Sequence, residues 1–131
     1  MRHLIGFLIL SIGLTACLPT AQLEQGPGII GTYVVNGLDP IGTEYTGRLN
    51  ISRGSDANDV IFEWIITGAI IRGEGTQRGN IVELTWETIT SPQGTSTGTA
   101  EYEVLDDGYL IGTLHVDGTD EVGTETVYPD P

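Results

Sequence analysis

Three groups of side chains in this chain could do chemistry. The first is a carboxylate, Glu125, with five rings elsewhere in the sequence: Tyr33, Tyr45, Trp64, Trp86 and Tyr102. A carboxylate among phenols and indoles is either satisfied as a structural feature, by a Tyr hydroxyl, a backbone N–H or water at an opening, or it marks the polar end of a small-ligand pocket. The second is His115. His3 lies at the extreme start, so the body of the chain has one imidazole, no thiol to pair with it, no G-x-S-x-G elbow, and serines mostly in loop segments. A Ser–His–Asp or Cys–His arrangement is not expected from this set. His115 reads as a surface strand residue, no catalytic residue is assigned, and an enzyme is not expected. The third group is acidic. Asp117-Gly118-Thr119-Asp120-Glu121 has a superficial likeness to a calcium loop but lacks the twelve-residue oxygen pattern and its closing Glu, and it fits a hairpin turn. With 18 acids in 131 residues, a glycosidase-like carboxylate pair carries no signal. No His-rich or Cys-rich spacing suits a metal, so neither metal nor cofactor is expected.

The charge balance narrows the partners. Five Arg and no Lys stand against 18 Asp and Glu, giving a net charge of -13. Binding of nucleic acid needs clustered cations and is not expected. The same charge repels anionic lipid surfaces, so membrane attachment would have to come from acyl chains.

The start of the chain supplies a candidate for such chains. Arg2 precedes an apolar run from Leu4 to Leu14, too short for a mature membrane span and right for the core of a secretory signal. The run ends in Leu14-Thr15-Ala16-Cys17, which resembles the bacterial lipobox. That resemblance implies a signal peptide over 1–16, lipidation of Cys17 as the new N-terminus, and a polar tether to residue 28 before a domain over 29–131. Cys17 is the one cysteine, without a disulfide partner. Leu18 stands where an inner-membrane retention signal would have Asp, which by the same resemblance implies an outer-membrane lipoprotein, facing the periplasm or the surface.

The elements that must position the ring residues are strands. After Gly28 no helical period is sustained, and β-branched, aromatic and Thr-rich runs alternate with Gly, Asp and Asn clusters. Eight strands are predicted, near 30–36, 43–52, 59–66, 69–77, 80–88, 97–105, 109–116 and 121–128. Short links imply an antiparallel meander, and eight such strands can close on themselves. The predicted fold is all-β, an eight-stranded antiparallel up-and-down barrel, with a two-sheet sandwich as the alternative. Two-residue turns at Thr67-Gly68 and Gly79-Asn80 put Gly73 and Gly75 on one face with Phe62, Trp64, Leu84 and Trp86. A three-residue loop at Asp106-Asp107-Gly108 makes Tyr102 face Gly112. A turn around Gly118-Thr119 makes Gly112 face Glu125, which therefore points inward among Leu110, Leu114 and Val127. The predicted interior is Tyr33, Val35, Tyr45, Leu49, Ile51, Val60, Phe62, Trp64, Ile71, Leu84, Trp86, Tyr102, Val104, Leu110 and Leu114.

The same register turns Ile61, Ile65 and Ile70 outward, with Ile65 and Ile70 as cross-strand neighbours. Beside them Glu63 faces Arg72, and Arg72 faces Glu87. An isoleucine cluster beside a charge trio suggests an interface with a protein partner or a second copy; cover by the tether or simple exposure is the alternative.

Over residues 31–51, 64–75, 107–114 and 123–126 the chain carries G-T-Y, E-Y-T-G-R-L, W-I-I-T-G, G-E-G and D-G-Y-L-I-G elements. These are similar to a group of small bacterial lipoproteins, often labelled fibronectin-binding, that look like short barrels of the avidin or lipocalin type. The resemblance implies a non-enzymatic, lipid-anchored extracytoplasmic barrel that binds a protein or host-matrix partner through its outer face and loops. The alternative is a small-ligand carrier using the barrel interior, lined by Glu125 and the five rings.

Overall fold

The computed structural model describes residues 26–131. The predicted signal peptide, Cys17 and the tether up to residue 25 lie outside the described residues. Eight strands follow in order: β1 Gly31–Leu38, β2 Glu44–Arg53, β3 Asp59–Ile66, β4 Ala69–Arg78, β5 Ile81–Thr90, β6 Thr97–Val104, β7 Leu110–Val116 and β8 Val122–Pro129. Each pairs antiparallel with the next, and β8 pairs with β1 to close an up-and-down barrel. Closure leaves no free sheet edge and rules out the sandwich.

Local sequence sets this register. Gly68 and Gly79 adopt positive φ, which lets two-residue turns join β3 to β4 and β4 to β5. The pairs expected from those turns are present: Trp64 with Ile71, Phe62 with Gly73, Gly73 with Trp86, and Gly75 with Leu84. Tyr102 faces Gly112 and Gly112 faces Glu125, as the Asp106–Gly108 loop and the β7–β8 turn require. One feature was not foreseen. Ile70 pairs with Thr90 but Ile71 with Thr88, so Ile89 bulges out and β5 runs two residues past its predicted end.

Alternation along each strand builds the core; β6 reads exposed-buried through all eight residues. Phe62, Trp64 and Tyr102 meet at its centre, with ring centroids 5.5 Å apart for Phe62–Trp64 and 5.4 Å for Phe62–Tyr102. Ile29, Val82, Ala100 and Val127 join the predicted interior set. Tyr45, Ile71 and Leu114, expected fully inside, are half-buried because they sit near one end of the barrel.

The two ends differ. The end holding the β2–β3, β4–β5 and β6–β7 connections is where the chain enters. Ile29 is buried there, and the Tyr33 hydroxyl donates to its carbonyl at 2.8 Å. The Gln77 side-chain amide donates to the Pro27 carbonyl at 2.8 Å and the Gly79 carbonyl at 3.0 Å. Pro27, expected in the tether, is thus bonded to the barrel. The opposite end, holding the other four connections, is a mouth lined by half-buried Tyr45, Ile66, Ile71, Leu114 and Val116.

Candidate functional site

Glu125 on β8 is 2% exposed and is the one buried charged residue in the core of the described chain. Its position follows from a row that crosses five strands. Tyr102 pairs with Gly112, Gly112 with Glu125, Glu125 with Gly37, and Gly37 with Tyr45. The glycines matter because they have no Cβ. The ring of Tyr102 lies over Gly112, and the ring of Tyr45 lies over Gly37, each where a methyl group would be. The two phenols therefore reach across one strand from either side and converge on the carboxylate.

The carboxylate is fully engaged. Tyr45 Oη donates to Oε2 at 2.5 Å, Tyr102 Oη donates to Oε1 at 2.6 Å, and Trp64 Nε1 donates to Oε1 at 3.1 Å. These bonds join β2, β3, β6 and β8 at one point. Short bonds to an ionised acceptor are the strong kind. Burial pushes the Glu125 carboxyl above its ordinary value, and the bonds from Tyr102, Tyr45 and Trp64 pull against that rise. The Tyr45 and Tyr102 phenols are pushed up, first by burial and then by the negative charge of Glu125. Burial alone raises Tyr33. Chemically the arrangement is a hydrogen-bonded knot. Among the described residues no buried side-chain nitrogen or oxygen lacks a partner, so both carboxylate oxygens and all three donors of the knot are bonded within the chain.

Two of the five rings named from sequence do not take part. Trp86 leans over Gly98 and donates from Nε1 to the Thr99 carbonyl at 3.0 Å. Tyr33 is turned to Ile29 at the closed end. The signal that separates the participating phenols from Tyr33 was half present in the sequence. The phenols that reach Glu125 are those whose strand partner is a glycine that itself pairs with Glu125. Half of that row, Tyr102–Gly112–Glu125, follows from the turns; the other half needs the β1–β8 closure, which no turn announces.

The outer wall carries the second candidate. Ile65 and Ile70 pair across β3 and β4 and are 48% and 38% exposed; Ile61 on the same wall is half-buried. Glu63 pairs with Arg72, and Arg72 with Glu87, in backbone register. The ion pair, however, goes to Glu74, whose Oε1 lies 3.1 Å from Arg72 Nη2. The expected trio is therefore a quartet in which Glu63 and Glu87 remain without an ion-pair partner among the described residues. Further round the wall, a shallow cleft of about 530 Å³ lies between Glu74, Glu83, Thr85, Thr99, Glu101 and His115. His115 is exposed there. Among the described residues no three His, Cys, Asp or Glu side chains converge as metal ligands.

No protein-family model and no curated protein matches the chain. Among solved structures it is similar to one described as a redesigned beta barrel, with a TM-score of 0.61 at 14% identity over 79% of this chain and 92% of that one. At that identity the likeness speaks for the barrel fold alone.

Proposed function

We propose that this protein is a lipid-anchored, extracytoplasmic β-barrel without enzymatic activity, which binds a protein or host-matrix partner through its outer wall and loops. The observation that carries the reading is the filled interior. Phe62, Trp64 and Tyr102 touch across the space a carrier would keep open, and Glu125 has given its oxygens to three of the chain's own donors. What remains for recognition is outside, where the Ile65–Ile70 pair lies bare beside a charge group.

The Leu14-Thr15-Ala16-Cys17 pattern supports anchoring, and Leu18 supports the outer membrane. The chain enters the barrel at the closed end. A lipid on Cys17 would hold that end nearer the bilayer and leave the mouth turned away from it. A second copy of the chain is the alternative occupant of the outer wall.

Two measurements test the reading. In a bacterial host, metabolic labelling with a fatty acid should mark the chain, and Cys17→Ser should abolish the label; an unlabelled wild-type chain overturns the anchor. A photo-crosslinking amino acid at position 65 or 70 should give one discrete adduct in cells, and one at position 109 none. No adduct at 65 or 70 overturns the outer-wall reading, and an adduct of twice the chain mass assigns the wall to self-association.

A further inference from the structure

The exposed aliphatic residues are not spread evenly over the barrel. Nine large hydrophobic side chains are exposed among the described residues, and six of them, Leu38, Ile41, Ile65, Ile70, Ile89 and Val122, lie at the mouth end. They come from β1, the β1–β2 connection, β3, β4, β5 and β8, an arc of the opening that leaves out β6 and β7. Ile41 is 85% exposed at the tip of its loop, and Ile89, on the outward parity of β5, is left unpaired at the bulge. Inside this rim lie Tyr45, Ile66, Ile71, Leu114 and Val116, themselves only half-buried. Apolar side chains thus stand both on the outer rim and in the lining of the mouth, whereas the closed end has drawn Ile29 inside. A concentration of exposed apolar side chains at one end marks an interaction site.

The charge around the mouth has one sign. The four connections at this end, 39–43, 67–68, 91–96 and 117–121, carry Asp39, Asp117, Asp120 and Glu121, and no Lys or Arg. Glu44 opens β2 beside them. The nearest cations are already matched: Arg48 lies 3.3 Å from Asp130, and Arg72 lies 3.1 Å from Glu74. A second copy docked mouth to mouth would bring like charges together, and an anionic bilayer would be repelled in the same way. A basic-rimmed surface is the complement.

We infer that the mouth end is a docking surface for a cationic protein that presents aliphatic side chains to the Leu38–Ile41–Ile65–Ile70–Ile89–Val122 rim and basic residues to the acids around it. This rests on the proposal that the barrel acts through its exterior, and it moves the centre of contact from the side wall to the end.

The test uses the full chain with Cys17→Ser and, as the probe, a synthetic amphipathic Lys/Leu peptide. Its controls are a Lys/Ser peptide of equal charge and a Glu/Leu peptide of equal apolar content. Isoleucine methyl resonances report the site. The Lys/Leu peptide should bind more tightly than both controls, weaken as salt rises, and shift Ile41, Ile65, Ile70 and Ile89 while leaving Ile30 and Ile111 in place. Ile41→Ser with Val122→Ser, both on exposed positions and neutral, should weaken it about tenfold. Equal binding of the Lys/Ser peptide would reduce the surface to charge alone and overturn the inference. So would shifts spread over Ile30 and Ile111, preferential binding to phosphatidylcholine vesicles, or a dimer in sedimentation that the double substitution dissolves. The two readings fail separately. Adducts from positions 65 and 70 with no mouth preference for the peptide keep the outer-wall reading and remove this one; no adduct at either position removes the outer-wall reading whatever the peptide does.

Discussion

The β3–β4 wall has two faces made from alternate residues of the same two strands, and they are finished differently. On the inner face Phe62 and Trp64 are buried, the Trp64 ring covers Gly73, and its N–H ends on Glu125. On the outer face Ile65 and Ile70 lie half in solvent, and Arg72 reaches along its own strand to Glu74. Inside, the Trp64 N–H has a fixed acceptor and its ring a glycine to lie on. Outside, contacts are few and exposed, and a salt bridge between side chains 43% and 66% exposed contributes little. The contrast separates two demands on one sequence. The inner face specifies the barrel, and the outer face is free to serve something else. If so, inner substitutions should cost stability and outer ones should cost only binding.

The largest effect is expected at the knot. Glu125→Ala leaves the Tyr102 hydroxyl and the Trp64 N–H buried without their acceptor, and should cost about 3 to 5 kcal/mol, a large part of the stability of a domain this size. Urea unfolding measures it; a loss below about 1 kcal/mol would mean that the inner face is no more exacting than the outer. Glu125→Gln sharpens the point through pH. Burial raises the folded carboxyl above its unfolded value, so over that interval the fold keeps a proton the unfolded chain has released. Wild-type stability should therefore fall as pH rises from the unfolded carboxyl range through the folded value, and level off above it. The other acids act alike in both proteins. The wild type should thus lose more stability than Glu125→Gln between pH 4.5 and pH 8, and parallel profiles would show that Glu125 does not carry the difference.

A smaller loss is expected where a ring needs its glycine. Gly112→Ala puts a methyl group into the Tyr102 ring, which cannot slide aside because its hydroxyl is held by Glu125 and its face by Phe62. About 2 to 3 kcal/mol is the scale for such overpacking. Gly28→Ala, where a methyl group meets open space, is the matched control. Equal midpoints for the two variants would mean that the row tolerates a side chain and that its glycines are incidental.

These residues also mark what the sequence disclosed and what it withheld. Strand number, order and register were legible because each short turn carries its own residues, and two independent turns agreed on which face held Phe62, Trp64, Leu84 and Trp86. Glu125 was legible as inward from the same parity. The identity of its three donors was not, since Tyr45 reaches it only across the β1–β8 seam, which joins strands remote in sequence. Trp86 faces Gly73 in register yet covers Gly98, because its N–H is drawn to the Thr99 carbonyl on the next strand. Ile29 carried no periodic signal at all, being a coil residue that plugs an end. The apolar rim was half legible. Ile65 and Ile70 follow from parity, whereas Ile89 lies past the predicted end of β5 and Ile41 on a loop.

The smallest effect on stability is expected on the outer face, and it is the most telling. Ile65→Thr with Ile70→Thr keeps two β-branched residues paired across β3 and β4 and removes two exposed apolar tips. Substitutions of this kind usually stay within about 0.5 kcal/mol, so the urea midpoint should hardly move. Had the two isoleucines been there to support the sheet, the pair would behave like an inner-face variant and lose a kilocalorie or more. An unmoved midpoint together with weaker Lys/Leu peptide binding leaves recognition as the purpose of the bare apolar surface. An unmoved midpoint with unchanged binding leaves these two positions idle and draws the contact in to Ile41, Ile89 and Val122 around the mouth.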